Sequence, residues 1–423
     1  MIFNSVTEKF IFYSFPAILF SLIPFFLITG PFLSDLSVSL IGLIFLIYCF
    51  KEKNFSYFKH KYFYFFLIFW VYLVINTLIN NFNFQSLKIS FFFFRYGIFV
   101  IAIFALLNFD CKFIKYFFYC IFICFIALII DGFYQYFVGE NILGWSKTNR
   151  TSSFFGEEKI LGSYLSRLWP IFFGLSIFLF KQKNKTFILF ISIFILSETL
   201  IFLSGDRTAF FYINLSAIFV ILFSQKLKKL RLLTLFISIF LIVMISLIYP
   251  SAKNRLIDKT LNEMNLGDIK DEDSQEIYIF SKIHTNYYIT SYRMFLDNKI
   301  LGVGVKNYRN FCGDEKYKVN KKSCSTHPHN SYVQILSETG LIGFLFLIVA
   351  LFYFCKNVLR HALLKFKAKS IFNDFEICIL SGIAIYLWPF VPTGSIFNNW
   401  LNIALILNFP FLIWSIKSNK TNN

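Results

Sequence analysis

Residues 326–355 have the sequence THPHNSYVQILSETGLIGFLFLIVALFYFC. The stretch opens with a polar segment from Thr326 to Asn330 and continues as an apolar run over residues 331–355. A helix needs about 20 apolar residues to cross the hydrocarbon core of a bilayer. The run therefore predicts a membrane span, and two of the chain's five histidines lie at its polar end. This placement indicates chemistry at the edge of a membrane.

Long apolar runs like this one recur along the whole chain. With 57% hydrophobic residues, 15% charged residues and a mean hydropathy of +0.63, the composition is that of an integral membrane protein. The spans must be helices, because a bilayer has no water to satisfy backbone groups. We predict an all-α polytopic membrane protein with about twelve transmembrane helices, at residues 10–29, 32–50, 62–79, 90–107, 113–137, 160–180, 186–203, 208–223, 232–250, 331–355, 371–390 and 401–416. The first run is long and lacks a small-residue cleavage site, so we expect an uncleaved anchor.

The net charge of +18 is distributed in a way that indicates topology and not nucleic-acid binding. Lysine-rich connections alternate with connections poor in basic residues, and the short connections of the second kind hold only Lys88 and Arg207. By the positive-inside rule, both termini are expected in the cytoplasm. The hydrophilic segments 138–159 and 251–330 then face outward. The predicted division is a first block of nine helices in 1–250, a large outer loop in 251–330 and a last block of three helices in 331–423.

The cysteines fit the same topology. Six of the eight lie in predicted helices or on the inner side, whereas Cys312 and Cys324 lie in the large outer loop. A pair of cysteines in an oxidising exterior predicts a disulfide. The alternative is two unpaired thiols.

Among the arginines on the outer side of the predicted topology we single out five, namely Arg95, Arg150, Arg167, Arg207 and Arg293. Lysine is sufficient to set topology, but a planar guanidinium is preferred where a phosphate is bound through two hydrogen bonds. Charged residues within spans are costly and indicate a function by default. For Arg95 and Arg167 the alternative is a structural ion pair, with Asp131 or Glu198 as the partner. We expect the five arginines to bind a phosphate-bearing substrate.

His329 is the strongest candidate for a general base. Its imidazole has an ordinary pKa near 6.5, and nearby arginines would lower that pKa and keep the ring neutral. His327 is expected to support it. Zinc binding by the two histidines with Cys312, Cys324 or Asp314 matches no established spacing. The sequence also has no nucleotide-binding fingerprint, so we expect neither a metal nor a cofactor.

Four motifs in order resemble the O-antigen ligase and polymerase superfamily of bacterial membrane glycosyltransferases. They are His329-Asn330 followed after nine residues by Gly340-x-x-Gly343, the outer-loop segment Asn149–Glu158 with Leu161–Tyr164, the turn Gly205–Ala209, and Arg293 eleven positions before Gly304. The first motif resembles the ligases and the last resembles the polymerases. One departure is Lys299, which stands where the family often has proline.

The resemblance implies a GT-C-like, metal-independent and inverting transferase of the bacterial inner membrane, with its site in the periplasm. The donor would be a glycan on undecaprenyl diphosphate, and the acceptor a sugar hydroxyl of lipid A–core. His329 would be the base and the arginines would bind the diphosphate, with His327, Asn330, Gly340 and Gly343 in supporting roles. The alternatives are a polymerase that joins lipid-linked repeat units and, in another class, a transporter of polysaccharide or lipid-linked sugars.

Overall fold

The computed structural model describes residues 5–180, 184–226, 228–249, 253–266, 277–367 and 369–421. Within these ranges the regular structure is helical, and the one β-feature is an isolated bridge between Glu140 and Ser146. Fifteen helices follow in chain order. They are α1 (Val6–Thr29), α2 (Pro31–Lys51), α3 (Lys61–Ile79), α4 (Phe84–Phe109), α5 (Cys111–Val138), α6 (Leu161–Phe180), α7 (Asn184–Ser204), α8 (Arg207–Phe223), α9 (Lys228–Ile248), α10 (Lys259–Glu263), α11 (Lys282–Asp297), α12 (Tyr308–Phe311), α13 (Ser331–Lys365), α14 (Asp374–Leu387) and α15 (Asn399–Asn419).

Nine helices in the described residues are long and apolar enough to cross a membrane, namely α1 to α6, α9, α13 and α15. The predicted all-α polytopic membrane class is therefore confirmed. The other three expected spans lie at the shorter apolar helices Ile188–Ser204, within α7, and Arg207–Phe223, which is α8, and at α14. At 1.5 Å per residue the fourteen residues of α14 extend about 21 Å, less than the bilayer core of about 30 Å. The helix ends at Leu387, just before an irregular segment with two prolines.

Helix α6 lies among α7, α8 and α14 and packs against each of them. From Leu161 to Ser176 all of its residues except Ser163 are buried, and the side chain of Trp169 is fully enclosed. The outer helices instead expose apolar side chains, as Phe236 of α9 does. Such faces are costly in water but suit contact with lipid. The central position of α6 lets it carry a polar side chain into the interior of the bundle.

Helix α13 is broken at Gly340, where φ is 63° and ψ is −164°. At this break the backbone of residues 299–304 pairs with the backbone of residues 337–341 through three hydrogen bonds of 2.8 to 2.9 Å. A Cβ atom at position 340 would lie 2.2 Å from the carbonyl oxygen of Ile300, so only glycine fits. Lys299 accepts one of these bonds through its carbonyl oxygen, so the turn is fixed without a proline there.

The large loop is tied together a little further along the chain. A disulfide joins Cys312 and Cys324, whose Cα atoms are 4.9 Å apart. The hydroxyl of Tyr308 also donates a 2.9 Å hydrogen bond to the carbonyl oxygen of Ser323. These links close the loop just before the polar segment that contains both histidines.

Candidate active site

A cavity of about 1910 Å³ opens at the end of the bundle that carries the segments 138–159 and 251–330. Four of the residues proposed from the sequence line it together: Arg150, Arg167, Arg207 and His329. Three more titratable side chains that the sequence analysis did not single out share the same lining: Arg255, His284 and Lys306. The cavity thus brings a cluster of cations and two imidazole rings to one space.

His329 is held by its backbone and by its ring. Its φ of 57° lies in the left-handed region, and the backbone N–H of Thr393 donates a 2.8 Å hydrogen bond to its carbonyl oxygen. Its Nε2 is 3.2 Å from the hydroxyl of Ser325. Burial, and then the neighbouring His284, lower the pKa of His329 to about 4. The ring is therefore neutral at pH 7, as expected, but the cause is burial and a second histidine and not the arginines.

Three histidines form a row with His329 in the middle. The ring centroid of His329 is 4.1 Å from that of His327 and 5.7 Å from that of His284. Tyr287 stacks on His329 at 5.5 Å. His327 does not line the cavity, and burial together with His329 lowers its pKa to about 3. Its place behind His329 is compatible with the predicted supporting role.

His284 is a second base candidate, which the sequence analysis missed. It lies in the first turn of α11, with Nδ1 2.8 Å from the hydroxyl of the capping residue Ser281. Burial lowers its pKa, Glu263 raises it and Arg207 lowers it again. The signal in the sequence was weak, because a histidine in a long hydrophilic loop is not marked by any motif.

Arg207 is the first residue of α8, after the capping residue Asp206. Its Nη1 is 2.6 Å from a carboxylate oxygen of Glu263, and its Nη2 donates to the carbonyl oxygen of Arg255 at 3.4 Å. The Gly205 before it has φ of 68°, and a Cβ atom there would lie 2.2 Å from Nε of Arg255. The turn Gly205–Ala209 therefore leaves room beside Gly205 for the side chain of Arg255, which comes from the large loop.

Arg255 itself has no sequence motif around it, yet its side chain lies between other cations. Its Nε is buried and has no hydrogen-bond partner among the described residues. Burial lowers the pKa of Arg255, and Arg150 and Arg207 lower it further. A cluster of like charges of this kind is relieved when an anion binds.

Arg150 comes from the outer-loop segment that resembled the superfamily. Two consecutive backbone N–H groups, of Ser152 and Ser153, each donate a 2.8 Å hydrogen bond to Oε1 of Gln135. The Ser153 hydroxyl donates at 2.6 Å to Asp131. The segment is thus fixed on α5, whereas the Arg150 side chain lines the cavity without an ion pair or hydrogen bond in the part of the chain that the structure describes.

Arg167 projects from α6 and is only 2% exposed. Its guanidinium lies against the rings of Tyr212 and Tyr386, at 4.7 and 4.5 Å from their centroids. It donates a 3.0 Å hydrogen bond to Ser163 and a 3.4 Å bond to the hydroxyl of Thr393. Arg167 therefore contacts neither Asp131 nor Glu198, the acidic partners considered from the sequence. Through Thr393 it connects α6 to the segment after α14, which binds the backbone of His329.

Arg95 and Arg293 do not line this cavity. Arg95 forms a 2.7 Å ion pair with Asp35. This is the structural ion pair considered as the alternative, although its partner is neither Asp131 nor Glu198. Arg293 donates to the carbonyl oxygens of Tyr317 at 3.5 Å and of Lys318 at 2.7 Å. The structure therefore brings three of the five arginines together with His329 and leaves these two outside.

The Asn-x9-Gly-x-x-Gly part of the motif fixes the backbone near the site. Asn330 caps α13 by accepting from the N–H groups of Tyr332 and Val333 at 2.9 and 3.1 Å, and its Nδ2 donates to the carbonyl oxygen of Pro389 at 2.8 Å. A Cβ atom at Gly343 would lie 2.0 Å from the hydroxyl of Thr339. Both features position the polar segment that contains His329.

Glu338 is a buried carboxylate that the sequence analysis also missed. It accepts 3.0 Å hydrogen bonds from the backbone N–H groups of Lys306 and Tyr308 and from the side chain of Gln334. Gln334 in turn donates at 3.0 Å to Ser395. This network joins α13 to the large loop and to the irregular segment after α14, and the last two contribute residues to the cavity lining. Within the described ranges, no group of three or more His, Cys, Asp and Glu side chains is arranged to hold a metal ion.

Comparison with known proteins adds one finding. Residues 187–348 match a family model described as O-antigen ligase. The match covers well under half of the chain, but it contains Arg207, Arg255, His284 and His329 together with the glycine motif of α13. A comparison with curated proteins finds no match.

Proposed function

We propose that this protein is a membrane glycosyltransferase that moves a glycan from undecaprenyl diphosphate to a sugar hydroxyl of lipid A–core, because residues 187–348 match a family model described as O-antigen ligase. The ligase or polymerase type follows from the family, and the donor, acceptor and mechanism are the proposal. One observation carries it: His329 lines the same cavity as Arg150, Arg167 and Arg207. A base and a set of guanidinium groups in one space suit the displacement of a diphosphate.

In the proposed step, the acceptor hydroxyl oxygen attacks the anomeric carbon of the donor glycan. Its proton passes to an imidazole nitrogen of His329 as the new bond forms. The bond from the anomeric carbon to the diphosphate oxygen breaks, and the diphosphate leaves with the electron pair. Arg150, Arg207 and Arg255 stabilise the charge that develops there. Attack from the side opposite the leaving group inverts the anomeric centre.

The low pKa of His329 has a consequence for this step. A ring with a pKa of about 4 is neutral at pH 7 but is a weaker base than free imidazole. A bound diphosphate brings negative charge near the ring, and an opposite charge favours the protonated form and raises the pKa. By linkage, donor binding therefore strengthens the base, so the proton is accepted only when the donor is in place.

The guanidinium groups supply, in this scheme, the positive charge that a divalent cation supplies in metal-dependent transferases. The proposal therefore keeps the reaction metal-independent. Arg167 has a different task, because its guanidinium is buried between the rings of Tyr212 and Tyr386 and donates to Thr393. It positions the wall of the cavity next to His329.

The chain is a multi-pass bacterial membrane protein, and we place it in the inner membrane with both termini in the cytoplasm and the cavity in the periplasm. The alternation of lysine-rich connections supports this orientation. The two basic residues that depart from the alternation, Lys88 and Arg207, both line the cavity. Their function at the site explains the departure.

The polymerase alternative differs in the acceptor, which would be a second lipid-linked repeat unit. Arg293, whose spacing from Gly304 resembled the polymerases, donates to loop carbonyl oxygens and does not line the cavity. This favours the ligase. The transporter alternative has no support from the family match.

The test is a deletion of the gene followed by gel analysis of surface polysaccharide, with complementation by wild type or by His329→Ala. A ligase predicts loss of polymer on lipid A and accumulation of polymer on the carrier lipid, both restored by wild type only. A ladder reduced to a single repeat identifies a polymerase. Unchanged polysaccharide contradicts both.

A further inference from the structure

One end of the cavity carries cations that the proposed transfer step does not use. Lys88 of α4 and Lys306 of the large loop line the cavity, whereas Arg309 of α12 lies three residues after Lys306 and is not part of the lining. Burial, and then Arg309, lower the pKa of Lys306, so Arg309 is close to it. Among the described residues, none of these three side chains forms a hydrogen bond or an ion pair, and Nε of Arg309 is buried. Unpaired cations near the interior are costly unless an anion meets them.

The backbone that presents Lys306 is fixed. Its φ is 58°, and its N–H donates a 3.0 Å hydrogen bond to Glu338. The next residue, Asn307, donates 3.1 Å hydrogen bonds to the carbonyl oxygens of Asn81 and Val303. The backbone of Lys306 and Asn307 is therefore fixed at the cavity wall, and the Lys306 side chain extends from a defined position.

Acidic side chains lie elsewhere in the cavity. The carboxylates that line it in the described ranges are those of Glu158, Asp206 and Glu263, which come from the same segments as Arg150, Arg207 and Arg255. Glu338 is next to Lys306 but does not line the cavity, and its oxygens accept from backbone N–H groups and from Gln334. Burial and Arg309 lower the pKa of Lys306, and Glu338 raises it. The lysine end thus has one buried carboxylate for three cations, and none of the three forms an ion pair with it among the described residues.

The row of histidines lies between the two ends. His284, at 5.7 Å from His329, is near Arg207 and Glu263, and both affect its pKa. His327, at 4.1 Å on the other side, has its pKa lowered by burial and His329 and, to a smaller degree, by Arg309 and Lys306. The candidate base therefore stands between two separate groups of cations.

We propose that Lys88, Lys306 and Arg309 form a second anion site, which binds a phosphate or carboxylate group on the acceptor glycan. The inference rests on the proposed function, in which the arginine end holds the donor diphosphate. Two anion sites on either side of His329 would place the acceptor hydroxyl next to the base and opposite the leaving group. The acceptor class is then an anionic glycolipid, and a neutral glycan would bind weakly.

The first test measures anion binding without catalysis, so it stays valid if the proposed reaction is wrong. The full chain, with ¹⁵N-labelled histidine, is placed in nanodiscs of zwitterionic lipid and titrated with inorganic phosphate at constant ionic strength. The histidine signals report the two ends separately, His327 for the lysine end and His284 for the arginine end. The variants are Lys306→Gln and Arg150→Gln, with Lys322→Gln, an exposed lysine of the same loop, as the matched control.

We expect phosphate to shift both signals in wild type and in the control. Lys306→Gln should raise the Kd seen at His327 about tenfold, the equivalent of one charge-assisted hydrogen bond, and leave the response of His284 unchanged. Arg150→Gln should do the reverse. A His327 signal that ignores phosphate in wild type, or that responds equally in Lys306→Gln, overturns the second site.

The second test identifies the source of the anion. Transfer is measured with lipid A–core acceptors that retain their phosphate and carboxylate groups and with acceptors from which those groups have been removed. The proposal predicts that removal raises the acceptor KM in wild type and has little further effect in Lys306→Gln, while the donor KM stays constant. Equal KM effects of Lys306→Gln on both acceptors contradict it. A second outcome also contradicts the proposal. In it, anionic phospholipid added to the nanodiscs raises the acceptor KM of wild type but does not change that of Lys306→Gln, which would show that a lipid headgroup occupies the site.

Discussion

The backbone N–H of Thr393 donates a 2.8 Å hydrogen bond to the carbonyl oxygen of His329. The hydroxyl of the same threonine accepts a 3.4 Å hydrogen bond from Arg167 of α6. The candidate base is thus held through its main chain by a residue that is itself held by the most buried helix. This explains how a histidine in a loop keeps a fixed place in a cavity of this size.

The role of Thr393 can be separated from that of the backbone. Thr393→Val keeps the N–H that binds His329 and removes the hydroxyl that binds Arg167. We expect kcat to fall about 2- to 10-fold, because the 3.4 Å hydrogen bond from Arg167 is long and therefore weak for a charged donor, with an unchanged donor KM. Steady-state kinetics in detergent or nanodiscs measure both constants. In the double variant with Arg167→Lys the two effects should be less than additive, and full additivity would show that the contact does not position the base.

The pH dependence should follow the low pKa of His329. A base is active when it is unprotonated, so kcat/KM falls as the pH falls through the pKa of the free enzyme. From the ordinary pKa of an imidazole, the sequence alone predicts that activity declines below about pH 6. Because burial lowers the pKa to about 4, we now expect kcat/KM to stay level from pH 7 to about pH 5. Under saturating donor, kcat should show a higher pKa, since the bound diphosphate favours the protonated ring. A decline of kcat/KM centred at or above pH 6.5 would contradict the buried, neutral state.

Arg207 of α8 and Arg293 of the large loop provide a matched comparison. The sequence predicts that both Arg207→Lys and Arg293→Lys lose most activity. The structure separates them, because Arg207 lines the cavity and Arg293 donates to Lys318 in the loop. We expect Arg207→Lys to lose about 10- to 100-fold in transfer, since a lysine cannot make the two-pronged contact. Arg293→Lys should keep near-normal transfer and lose about 1 kcal/mol of unfolding free energy. Equal losses of transfer in both variants would show that Arg293 also acts at the site.

The disulfide between Cys312 and Cys324 closes a segment with a sequence separation of 12. The chain-entropy relation gives about 3 kcal/mol of stabilisation for a loop of this size. Thermal unfolding of the double serine variant should therefore begin at a lower temperature than that of wild type. In cells with a permeabilised outer membrane, an impermeant thiol reagent should label these cysteines only after reduction. Labelling only after the inner membrane is broken would place the loop in the cytoplasm and contradict the orientation.

Much of the fold was predictable from the sequence because the dominant force leaves a local pattern. An apolar run of sufficient length predicts a membrane span wherever it occurs in the sequence. Helix α14 is not among the nine helices of the described residues that are long enough to span, because it ends at Leu387. Irregular backbone at membrane depth is tolerated where it lines a cavity, and the segment after α14 does so with Val391, Thr393 and Gly394. A hydropathy pattern alone cannot show that a run stops being helical.

The site was predictable only where a motif marked it. His329, Arg150 and Arg207 lie in segments with a recognisable spacing, and all three line the cavity. Arg255 and His284 reach the same cavity through the folding of the large loop, which brings residues far apart in sequence together. Arg95 and Arg293 share the residue type and the expected side of the membrane, but their partners are fixed by packing that no spacing reveals.

The identity of the base tests the central claim most directly. The measurement is the transfer rate of His329→Ala, His284→Ala and His327→Ala at matched expression, together with binding of the lipid-linked donor. We predict that His329→Ala remains inserted, binds the donor and loses about 10²- to 10⁴-fold in transfer, the usual contribution of a positioned general base. His284→Ala and His327→Ala should lose less. If His329→Ala transfers at a near-normal rate while His284→Ala is inactive, the base is His284 and the account is wrong at its centre.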